Sequence, residues 1–129
     1  MSKENRIRVL KVAPMSKPEV VELDNDLDSL QKAVSIGAGY QGLIELISLE
    51  AGVDLLCNEE GKLIPLQLNR QVGMDIIAGV FYVVGSDDEG NLCSLTEEKL
   101  SKYSDRFSEP EDYANIGIGS LIHIGFVEL

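Results

Sequence analysis

Catalytic equipment is scarce in this chain of 129 residues. It has one histidine, His123, two cysteines and no tryptophan. General-base or triad chemistry needs a histidine beside a nucleophile and an orienting acid, and the sequence marks no such set around His123. No G-x-S-x-G, phosphate-binding P-loop, H-E-x-x-H or clustered Cys/His pattern occurs, so the usual residue sets for acyl transfer, nucleotide hydrolysis and zinc chemistry are missing. Cys57 and Cys93 form no C-x-x-C pair and support neither a disulfide framework nor a thiolate metal site. They read as small apolar strand residues. No apolar run approaches the ~20 residues of a membrane helix, and the polar start MSKENR differs from a secretory leader, so the expected location is cytoplasmic, away from membranes.

Positive charge is also short. Eleven Lys and Arg stand against 22 Asp and Glu, a net charge of −11 that opposes phosphate backbones and argues against nucleic acid as a partner. The distribution is uneven: residues 1 to 21 carry +3 and the remainder −14, an acidic body with a basic leading strand. The 44% of apolar residues suffices for the core of one globular domain spanning 1–129.

What is present has the pattern of a mixed α and β chain. Ile7 to Val12 and Glu19 to Leu23, on either side of the Pro14 to Pro18 turn, read as a hairpin. Asp24 or Asp26 can cap a helix with Leu27, Leu30, Ala33 and Val34 on one face, ending at Gly37. Strands are expected at Leu43 to Leu49, Val53 to Asn58 and Lys62 to Leu68, the last two joined by a tight turn at Glu60-Gly61, with Pro65 marking an edge. Asp75 to Val84 is apolar on both alternating faces and is the candidate central strand. After the turn DDEGN, Thr96 opens a helix buried through Leu100, Tyr103 and Phe107, and Ile116 to Leu129 reads as a last strand. The sum is an α+β fold: an antiparallel or mixed sheet of about five to seven strands with two short helices.

Three motifs need weighing. Gly37, Gly39 and Gly42 spell G-x-G-x-x-G, but a dinucleotide site requires a strand before and a helix after, the reverse of the order here, so the glycines read as a helix-ending joint and no cofactor is expected. Asp24, Asp26 and Asp28 imitate the start of a calcium loop whose sixth and twelfth positions are Ser29 and Ser35 instead of Gly and Glu. Helix capping explains them, and no metal is expected. The remaining polar residues at element ends are Asn58, Asn69, Arg70 and Asp75. Arg70 can pair with Asp75, or it can offer its planar donor fork to an anionic partner, with Tyr40 near the glycine joint able to stack a base.

The segments KPEVVELDNDLDSLQKAV, LLCNEEGKLIPLQLNR, DIIAGVFYVVG, CSLTEEKLSKYSDRF and EPE follow one another as in a family without assigned function. Over about residues 7 to 111 the chain resembles this uncharacterised domain-of-unknown-function family of phages, plasmids and conjugative elements of Gram-positive bacteria. The chain departs from it in having IGAGYQG where the family has a shorter Gly-Gly-Tyr link, and in its tail from Tyr113. The resemblance supplies no catalytic residues. It implies a non-enzymatic accessory protein of a mobile element that binds a host or element-encoded protein and blunts a defence system. The alternative is a binder of a nucleotide-like small molecule through Arg70, Asn69, Asn58 and Tyr40. A homodimer formed through an edge near Pro65 or through the tail strand is a further expectation.

Overall fold

The computed structural model describes residues 5–61 and 66–113. Its elements follow in the order β1 (Arg6–Val12), β2 (Glu19–Asp24), α1 (Leu27–Ala33), β3 (Ile44–Glu50), β4 (Val53–Asn58), β5 (Leu68–Val72), β6 (Asp75–Ala78), β7 (Phe81–Ser86), β8 (Leu92–Cys93) and α2 (Glu97–Arg106). The main sheet has six strands in the order β2-β1-β7-β4-β3, with β8 added against β7, while β5 and β6 form a separate two-stranded sheet. Every pairing is antiparallel. The fold is therefore α+β, as the periodicities imply.

Alternation along the strands sorts side chains to two cores, one on each face of the main sheet. Leu10, Val12, Leu55, Phe81 and Val83 meet Leu100, Tyr103 and Phe107 of the α2 segment. Ile7, Val9, Leu56, Tyr82 and Val84 meet Leu30 and Val34 of the α1 segment. The helices thus cover opposite faces, and β7, apolar on both sides, is central because both faces must be buried. Both helices begin at the expected kind of cap: Asp26 accepts from the Ser29 amide and Thr96 from the Lys99 amide. Leu27 departs from the expected face. It sits in the first turn and is exposed, whereas Leu30 and Val34 are buried.

Expectations about the strands after β4 are corrected. The run from Asp75 to Val84 is not one strand. It breaks at Gly79, whose φ of +81° takes the chain from β6 in the small sheet to β7 in the large one. A Cβ at Gly79 would lie 2.7 Å from Leu66 Cδ1, so a glycine is also required for that leucine to pack. Of the strand expected at Lys62 to Leu68, residues 62–65 lie outside the described residues, Leu66 and Gln67 are not in a strand, and β5 starts at Leu68. Among the described residues no strand after Glu60-Gly61 forms the expected hairpin with β4, whose two edges are taken by β3 and β7. Pro65, His123 and the expected strand at Ile116 to Leu129 lie outside the described residues.

Candidate functional site

The polar residues singled out in the sequence fall into two groups and one outlier. Asn69 and Arg70 stand together in β5, both with no exposed surface. Asn69 Nδ2 donates to the carbonyls of Val12 at 2.9 Å and Gly79 at 2.8 Å. Arg70 donates from Nη1 to Asn69 Oδ1 at 2.8 Å, from Nη2 to the Ser16 carbonyl at 2.6 Å, and from Nη2 and Nε to the Phe107 carbonyl at 2.9 and 3.3 Å. Phe107 is the C-cap of α2, so the guanidinium also lies at the negative end of that helix. Burial pulls the Arg70 pKa down while the nearby charge of Glu111 holds it up. The donor fork is aimed inward at the chain's own carbonyls. The pair ties the end of β1, the following turn, the β6 to β7 break and the end of α2 to one point.

Asn58 and Tyr40 form the second group, at the joint between α1 and β3. Asn58 Oδ1 accepts from the Glu60 amide at 2.8 Å, and its Nδ2 faces the Val34 carbonyl and Ser35 Oγ, each at 3.4 Å. A Cβ on Gly42 would lie 2.8 Å from Asn58 Nδ2, which accounts for the third glycine of the G-x-G-x-x-G by packing. Gly37 and Gly39 have φ of +86° and +83°, and the helix-joint-strand order is opposite to that of a dinucleotide site. Tyr40 OH donates to Glu60 Oε1 at 2.8 Å, while the ring stays 49% exposed. Asp75 stands apart at the β5 to β6 turn, where its carboxylate accepts from the Ile76 amide.

Cys57 is buried in β4, and its thiol is pushed up to about 12 by burial, then by the charges of Glu45 and Asp75, which makes it a poor nucleophile. Among the described residues no group of three or more His, Cys, Asp or Glu is placed to hold a metal, and no helix is long and apolar enough to cross a membrane.

The accessible chemistry lies instead at the outer side of β3. This strand ends the main sheet, and among the described residues it has no neighbour beyond it. By register Leu46 lies opposite Leu56 on the α1 side of the sheet, while α1 makes its main strand contacts with β2 at the other end. Leu46 is 44% exposed, and Leu43, whose carbonyl accepts from the Glu59 amide, is 55% exposed. Tyr40 adjoins the same turn through Glu60. Charge around this rim has one sign: residues 33–61 contain Glu45, Glu50, Asp54, Glu59 and Glu60 and no Lys or Arg. The Glu50 end is compensated by Lys99 and Lys102 from α2. Leu43 and Leu46 were not singled out from the sequence, because an apolar residue in a strand reads as core until its place at the sheet edge is known.

A family model described as a domain of unknown function (DUF3846) matches residues 7–108. No curated protein and no solved structure matches the chain.

Proposed function

The chain belongs to that domain-of-unknown-function family, and from that premise we propose that it is a non-enzymatic protein-binding accessory of a mobile element, with β3 as its docking strand. The observation that carries this reading is the open edge of β3 with Leu43, Leu46 and Tyr40 exposed beside it. An unpaired strand edge offers a row of backbone donors and acceptors to an extended segment of another chain, and natural edges are commonly blunted with lysine, proline or a bulge. β3 has neither proline nor lysine, and its bulge, between Ser48 and Glu50, lies only at its far end.

The chemistry of the partner follows from the rim. An extended segment alternating apolar and basic residues would set its apolar side chains against Leu46 and Leu43 and its charges near Glu45 and Glu59. In the mobile-element setting that the resemblance implies, such a segment belongs to a host or element-encoded protein whose activity the complex would block.

The test begins with native mass spectrometry of the protein captured from host lysate, followed by hydrogen exchange on the complex obtained. Protection should be gained along β3, and Leu46→Lys should remove the partner. That change puts an ammonium on an already exposed position and leaves both cores untouched. A complex that survives Leu46→Lys, or protection centred elsewhere, overturns the proposal.

A further inference from the structure

On the α1 side of the sheet, away from β3, a cavity of about 360 Å³ opens between the end of β1, the glycine joint and the β6 to β7 break. Its walls are mostly apolar, including Ala13, Ile36, Leu66 and Val80. Two of its surfaces are bare backbone, at Gly37 and Gly79. The space a side chain would take at Gly79 is given to Leu66, which also comes within 3.9 Å of a Cβ built on Gly37, so one leucine closes the floor between the two glycines. The volume lies near the lower end of the range for small-molecule sites.

Among the described residues one charged side chain lines this cavity, and it is a cation in a chain of net −11. Lys11 shares the α1-facing row of β1 with Ile7 and Val9. Tyr82 and Glu19 stand across from it on the neighbouring strands. Tyr82 directs its hydroxyl to the Ala33 carbonyl at 3.1 Å, and Glu19 makes no ion pair with Lys11. Among the described residues the Lys11 ammonium has no hydrogen-bond or ion-pair partner, and no carboxylate lines the cavity beside it. A half-buried lysine lining an apolar chamber matches an apolar body carrying a single negative group.

We propose that this cavity binds a small, mostly apolar monocarboxylate, its carboxylate on Lys11 and its body against Ile36, Leu66 and Val80. The site is separate from the β3 edge and does not depend on it.

The probes are three molecules of one frame, 3-phenylpropionate, 3-phenylpropanol and 3-phenylpropylamine, titrated into the ¹⁵N-labelled full chain and followed by amide chemical shifts. The acid should move the Ala13, Gly37 and Gly79 amides saturably, the alcohol should bind about tenfold more weakly, and the amine should leave them in place. Lys11→Met keeps the aliphatic stem. It should lower affinity for the acid about tenfold and leave that for the alcohol unchanged, while Leu46→Lys should alter neither. The proposal is overturned by equal binding of acid and alcohol, by an unaltered acid affinity in Lys11→Met, by shifts centred on other residues, or by no saturable shift with the acid.

Discussion

At the scale of single residues, Arg70 decides most. Its side chain has no exposed surface and meets three oxygens, from Asn69, Ser16 and Phe107, and no buried side-chain polar atom among the described residues lacks a partner. Arg70→Met would fill much of the same volume yet leave those three acceptors orphaned. The expected loss is about 3–5 kcal/mol of unfolding free energy, measured by urea denaturation with an unchanged dependence on denaturant. A surface arginine kept for ligand binding would show nearly no loss, so the result separates the two roles. The sequence made Asn58, Asn69, Arg70 and Asp75 visible as polar residues expected at element ends; Asn58 and Asp75 stand at strand ends, whereas Asn69 and Arg70 lie within β5. It did not show which way they turn, because an asparagine or arginine in a short strand has the same local pattern whether it meets water or buried carbonyls. That choice is made by segments distant in sequence, here around residues 16, 79 and 107.

At the scale of elements, the joint between β3 and α2 is electrostatic. Glu50, at the end of β3, accepts from Lys102 Nζ at 2.7 Å, Lys99 Nζ at 2.9 Å and the Tyr103 hydroxyl, and these contacts hold its carboxyl at about 2, below the ordinary 4.5, with Lys102 the largest cause. In the unfolded chain the group takes up its proton at a higher pH than in the folded one. Its contribution is therefore complete above about pH 4.5 and is lost as pH falls toward about 2. Thermal melts of wild type and Glu50→Gln should differ by a constant amount above that window and converge within it as acid is added; parallel curves down to pH 2 would contradict the assignment. Elements were legible where local signals agreed. The strand at Val53–Asn58, the first hairpin, the Asp26 and Thr96 caps, and the stripe of Leu100, Tyr103 and Phe107 all lie where periodicity puts them. The break at Gly79 was hidden, since residues on both sides of it are apolar on both faces and only the glycine hints at a change of sheet.

At the scale of the whole molecule, the arrangement of strands was the least legible feature, because pairing partners are chosen by burial across the sheet and not by neighbourhood in the chain. β1 with β2 and β3 with β4 are pairs of consecutive strands, whereas β7 arrives later and lies between β1 and β4. This insertion has a consequence for synthesis. A ribosome releases the chain in order, so both hairpins are complete while the strand that joins them is still unmade, and the inner edges of β1 and β4, rich in Val and Leu, wait without a partner. Translation products ending between residues 61 and 80 should therefore collect in the insoluble fraction, and full-length chains should stay in solution. Soluble short products would mean that the hairpins can shield their own edges. If they cannot, each nascent chain passes through an interval of sticky, half-made sheet that ends only when Phe81 to Ser86 emerge and close it.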